Sequence, residues 1–120
     1  MSIETKNAVI ENAWIGLNER GFLECEVTLN YGGSCQGFGG YALHIPVGWR
    51  HREINSAAGE YIMRVLQVSG AESIEAMKGR NVRAKASHDK VHAIGHIIND
   101  DWFVPSEMFA ESTKAKGQIG

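Results

Sequence analysis

From Leu23 to Tyr31 apolar and polar side chains alternate: Leu23, Cys25, Val27, Leu29 and Tyr31 fall on one side of an extended chain, Glu24, Glu26, Thr28 and Asn30 on the other. A period of two over residues 22–31 predicts a strand with one packed and one solvated face. Residues 8–17 (AVIENAWIGL) are rich in β-formers and end at Asn18-Glu19-Arg20-Gly21, a turn with glycine at its close, so the two segments are expected to form a hairpin. Val82, Ala84 and Ala86 alternate with Arg83 and Lys85, and after His88-Asp89-Lys90 the run Val91–Ile98 reads as the partner strand of a second hairpin. Between the hairpins, Gly37–Leu43 predicts a third strand, and the stretch from His44 to Asn55 has no stable period and reads as a functional or connecting loop.

The period changes between Ser56 and Ser69, where Ala58, Tyr61, Ile62, Val65 and Leu66 recur at spacings of three and four and Gly70 supplies a stop. This predicts the main helix. A shorter helical turn is expected over Glu72–Lys78, ending at Gly79, and a short C-terminal helix around Ser106–Glu111, with Ser106 as its cap. The fold class is therefore α+β: an antiparallel sheet of four to five strands, one packed helix and a short terminal helix. No internal repeat interrupts it. At 120 residues and 13.2 kDa the chain fits a single domain, its ordered core running from about residue 5 to 111, with an unpatterned, mobile tail over 112–120.

Composition narrows the partners. A formal charge of −2 gives no electrostatic case for binding long nucleic acid. No basic segment leads into an apolar one, and no apolar run approaches the length of a membrane span, so a cytoplasmic protein is expected. Cys25 and Cys35 form no CxxC motif and read as a buried thiol and a loop thiol rather than a bridge.

Candidate chemistry centres on Asn30–Leu43, where Gly32, Gly33, Gly37, Gly39 and Gly40 stand beside Tyr31, Phe38 and Tyr41. Glycines let backbone N–H groups approach an anion and rings offer flat faces to a base; the same residues also serve a tight, closely packed connection between strands. Arg50 and Arg52, flanking His51, carry guanidinium forks suited to phosphate or simply to a solvated loop. Trp102-Phe103 before Pro105 reads as a clamp on the sheet or a stacking platform.

His88, His92 and His96 recur every four residues, but strand neighbours that far apart are roughly 13 Å distant, too far to share a metal ion, so no metal site is expected. Hydrogen bonding to a ligand or to the sheet is the expected role of His92 or His96. Gly33-Ser34-Cys35-Gln36-Gly37 lacks the GxSxG spacing and the following helix of a nucleophile elbow, and the glycines lack the lysine of a P-loop.

Tyr31-Gly32-Gly33-Ser34-Cys35-Gln36-Gly37-Phe38-Gly39-Gly40-Tyr41, the central helix and Ile94-Gly95-His96-Ile97-Ile98-Asn99-Asp100-Asp101-Trp102-Phe103 together resemble a family of small phage and prophage proteins over roughly residues 8–109. Within that group the chain looks similar to the anti-Thoeris sponges. These defeat bacterial immunity by sequestering cyclic ADP-ribose isomers made by TIR-domain enzymes, and some also hold cyclic oligonucleotides. The resemblance implies a homo-oligomer, dimer or higher, that binds its ligand intact, without turnover and without a cofactor.

By residue type it implies ring contacts from Phe38, Tyr41, Trp102 and Phe103, amide contacts from Gln36 and Asn99, and phosphate contacts from Arg50, Arg52, Arg83, Gly32 and Gly33. Cys35 stands where the family usually has glycine, which leaves the loop's backbone shape open. An inhibitor that binds the surface of a host defence protein and a cyclic-nucleotide hydrolase are the alternative classes. An exposed apolar patch would mark the first.

Overall fold

The computed structural model describes residues 2–41, 43 and 57–110. Six strands, β1 (Glu4–Leu17), β2 (Leu23–Asn30), β3 (Cys35–Gly39), β4 (Asn81–Ala86), β5 (Val91–His96) and β6 (Trp102–Phe103), form one sheet in the order β3-β2-β1-β4-β5-β6. Every neighbouring pair is antiparallel. Helix α1 (Ala57–Ser69) joins β3 to β4, with a 3-10 turn at Glu75–Met77, and residues 105–110 form helix α2.

Strand β1 is long because it belongs to both halves of the sheet, pairing with β4 through Glu4–Val9 and with β2 through Val9–Leu17. A bulge falls between Ile10 and Asn12. The apolar positions explain it: Ala8 and Ile10 face the core, Ala13 and Ile15 pack against it farther along, and the odd step between the two pairs requires one extra residue. Glu11 occupies that step and points away from the core, accepting a hydrogen bond from Asn30 Nδ2 at 3.1 Å. The first hairpin closes as the sequence predicts. Asn18 Oδ1 accepts from the N–H groups of Arg20 and Phe22, and Gly21 takes φ 80°.

The sheet curls until its ends meet. Gln36 Nε2 on β3 donates to the carbonyls of Ser87 and His88, at 3.0 and 3.1 Å, in the β4–β5 turn, while Tyr31 OH donates to Gln36 Oε1 at 2.6 Å. Inside the curl lies an aromatic cluster around Tyr61, whose ring is fully buried. Phe103 meets it edge-on at 4.9 Å between centroids, and Tyr41, Phe38 and Phe109 stand at 5.9, 6.2 and 6.5 Å. Val65 and Val68 follow Tyr61 on the same face of α1 and are equally buried, as the three-and-four spacing requires. The helix ends where expected: Gly70 takes φ 70° and Ala71 N donates back to Leu66 O.

Several boundaries differ from the expectation. The third strand occupies 35–39 rather than 37–43, although Leu43 N still donates to Leu23 O alongside β2. Strand β5 stops at His96 because His96 Nδ1 accepts the N–H groups of Ile98 and Asn99 and turns the chain. The turn expected over 72–78 is a single 3-10 turn. Helix α2 is already helical at Pro105, and Val104 O accepts from the N–H of Glu107 and Met108, so Ser106 lies inside the helix rather than capping it. The two-residue strand β6 was not expected at all. The loop over 44–55 and the tail over 112–120 lie outside the described residues.

Arg64 on α1 ties the helix to the end of the sheet, donating to Asp101 Oδ1 at 2.7 Å and to Trp102 O at 3.1 Å. The Arg64 hydrogen bond is the main reason the Asp101 pKa lies below the ordinary carboxylate value. A carboxylate with a lowered folded-state pKa stabilises the fold above its unfolded pKa, and the contribution disappears as pH falls through the folded value. Asp101→Asn is therefore expected to cost about 0.5–1 kcal/mol at pH 7, the difference from wild type vanishing in acid, as read by urea unfolding at several pH values. Gly39 has φ 131°, and a Cβ there would run into the Cys25 carbonyl. Gly39→Ala is expected to destabilise by about 2 kcal/mol or more, measured by thermal unfolding.

Candidate functional site: a cationic and aromatic patch on the open face of the sheet

The side chains that alternate away from the core gather on the opposite face of the sheet. Register places Asn7 beside Arg83, Arg83 beside Gly95, and Gly95 beside Trp102, with Val9 between Asn30 and Asn81 in the neighbouring row. Trp102 lies across Gly95, where an added Cβ would come within 2.6 Å of its ring. Glycine at 95 is thus what lets an edge-strand tryptophan fold flat over the sheet. The Arg83 guanidinium stands 4.8 Å from the ring centroid and Lys85 Nζ 4.3 Å.

Arg83 is held in place by two carbonyls: Nε donates to His96 O and an Nη to Asn99 O, both at 2.8 Å. The ammonium of Lys85 has the Trp102 ring as its partner among the described residues. Beside this cluster a shallow groove is lined by Asn7, Val9, Asn30, Tyr31, Gly32 and Asn81. Asn30 is engaged, donating to Glu11 and accepting from Gly32 N at 2.7 Å. The amides of Asn7 and Asn81 have no partner among the described residues.

Of the residues singled out from sequence, the structure brings Arg83, Trp102 and the backbone of Asn99 together. Phe38 and Phe103 are core residues, 1% and 3% exposed, and no ring face of either is presented to solvent. Gln36 is used in closing the sheet. Tyr41 packs on the aromatic cluster with Lys90 over its ring at 5.7 Å. Gly32 spends its N–H on Asn30 in a turn that Tyr31 N closes onto Ser34 O, and Gly33 stands exposed at its tip. His92 meets Ser87 Oγ at 3.2 Å, and His96 caps the turn after β5. Arg50 and Arg52 lie outside the described residues. Lys85 is the member of the patch that sequence reasoning missed; its alternation with Ala84 and Ala86 marked it as solvent-facing, and only β6 shows that an aromatic ring lies beneath it.

Among the described residues no group of His, Cys, Asp and Glu is close enough to hold a metal ion, and no helix is long and apolar enough to cross a membrane. Both thiols are free. Cys35 begins β3 rather than sitting in the loop, with Sγ 3.7 Å from Glu11 Oε2; desolvation and then the Glu11 carboxylate push its pKa up, the opposite of an activated nucleophile. Comparison with protein-family models, with curated proteins and with solved structures finds no match.

The patch offers fixed and movable positive charge, a flat ring and amide groups within one surface, a combination suited to an anionic ligand carrying a heterocycle. Burial pushes the Cys25 thiol up to about 11, so native protein is expected to react with a thiol-specific disulfide reagent at Cys35 alone, and Cys25 to react only on unfolding.

Proposed function

We propose that the chain is a non-catalytic sponge that binds a cyclic adenine-nucleotide signal of the cyclic ADP-ribose type and holds it intact, in the cytoplasm of a bacterium under phage attack. The observation that supports this reading most is Trp102 flanked by Arg83 and Lys85 beside the asparagine-lined groove. Arg83, preorganised by the carbonyls of His96 and Asn99, meets a phosphate oxygen. Lys85 swings off the Trp102 ring to neutralise the second charge, freeing that face for the adenine, whose edge takes the amides of Asn7 and Asn81.

The test is to incubate the protein with cyclic ADP-ribose isomers or cyclic oligonucleotides, remove it by filtration, and assay the filtrate before and after heating the retained fraction. Signal that vanishes and returns on denaturation supports sequestration, and signal that stays in the filtrate overturns it for those ligands. Arg83→Ala and Lys85→Ala are each expected to weaken retention about tenfold, the loss of one charge-assisted contact.

A second reading rests on the contact between Ser87 Oγ and His92 Nε2, a hydroxyl within reach of a base. The same hydroxyl also donates to Lys90 O at 3.4 Å, within the β4–β5 turn. If the signal is lost and never returns, and Ser87→Ala restores its recovery, the protein is a cyclic-nucleotide hydrolase.

A further inference from the structure

Among the described residues the upper half of β1 has a strand beside it on one side only; on the other side the 3-10 turn at Glu75–Met77 also lies against β1. Beyond Ile10, which exchanges backbone hydrogen bonds with Gly79 and Arg80, residues 12–17 pair with β2 and with no strand on the β4 side among the described residues. The alternation of a β-ladder fixes which groups are left over. Asn18 N donates toward β2, to Phe22 O at 2.9 Å, so Leu17, Ile15 and Ala13 direct their N–H and C=O groups outward, and the bulge at Glu11 restores the phase of Ile10.

Free edges are ordinarily blunted by lysine, proline or an inward charge. This one reads Ala13-Trp14-Ile15-Gly16-Leu17, without a charge, and Trp14 and Leu17 are 44% and 66% exposed.

We infer that this edge is a homodimer interface, in which β1 of a second copy pairs antiparallel about a two-fold axis at Ile15. The segment is self-complementary in that register. Ile15 faces its own symmetry mate and Ala13 faces Leu17 of the second copy, so all the outward backbone groups of the three residues are satisfied, roughly six hydrogen bonds. On the open face Trp14 comes opposite the second copy's Gly16, the residue over which Trp14 already lies in its own strand; an added Cβ at 16 would stand 2.5 Å from that ring. Glycine therefore leaves room for the two indoles to pack side by side across the axis. On the other face the small Ala13 accepts the exposed Leu17. No like charges meet, because the segment carries none. The inference does not depend on what the patch around Trp102 binds.

Sedimentation equilibrium on the full chain tests it. Wild type is expected at an even multiple of the 13.2 kDa chain mass and Leu17→Lys at half the wild-type mass with an unchanged circular dichroism spectrum. Ile15→Cys in a Cys25→Ala, Cys35→Ser background, which removes the thiol opposite position 15 in the same chain, is expected to give a dimer band with a short bismaleimide and so to read the register. A monomeric wild type, an assembly that Leu17→Lys leaves intact, or failure of Ile15→Cys to cross-link overturns the proposal. Retention of an unrelated protein by wild type but not by Leu17→Lys, with the wild type monomeric, assigns the edge to a foreign partner and also overturns it.

Discussion

The buried ring of Tyr61 is the constraint on which the rest of the structure depends. It is the contact that α1, β3, β6 and α2 have in common, through Phe38, Phe103, Tyr41 and Phe109. A flat six-stranded sheet would leave Phe38 and Phe103 far apart, on opposite flanks of the helix. They stand 6.1 Å apart because the sheet curls to enclose the ring, and Gln36 fastens the curl by satisfying carbonyls of the β4–β5 turn. The hydroxyl of Tyr61 has no hydrogen-bond partner among the described residues, and burial pushes its pKa upward. Tyrosine here contributes mainly its large buried ring, packed among four other aromatic side chains.

Curling the sheet around one side leaves the other side without a helix among the described residues, and the two surfaces follow from that. The open face holds the side chains that alternation sends outward, with Trp102 folded over Gly95 at one place and Trp14 over Gly16 at another. The same geometry separates the two arms of β1. Its lower half is covered by β4, whereas its upper half runs out past the start of β4 with one edge unpaired by any strand among the described residues. The molecule is correspondingly elongated, 45 × 28 × 27 Å. A patch for an anionic ligand and an edge for a second copy therefore occupy different parts of one sheet, each created by where its neighbours stop.

The strands of both hairpins and the main helix were legible because each writes its own period over enough residues to be read locally. The candidate site was less so. Phe38, Phe103 and Gln36 carry the right chemistry for a ligand but are consumed by the core and by closure of the curl. His96 looks like a ligand-facing imidazole and instead ends a strand, accepting two backbone N–H groups. Lys85, which alternation marks only as solvated, becomes part of the patch through a strand of two residues, too short to carry any period of its own.

What the sequence determined by itself was the set of local elements: alternation in β2 and β4, the Asn18–Gly21 turn, the three-and-four spacing of α1 and its stop at Gly70, the free thiols. Each rests on backbone preference or on a solvent-facing against a buried side, and these are properties of a few neighbouring residues. Only the tertiary structure decided which aromatic rings are core and which lie on the surface, which glycines serve close approach, and which half of β1 keeps a bare edge. Those outcomes depend on contacts between residues far apart in the chain, such as Trp102 with Gly95 and Lys85, or Gln36 with Ser87, and no short window of sequence contains both partners.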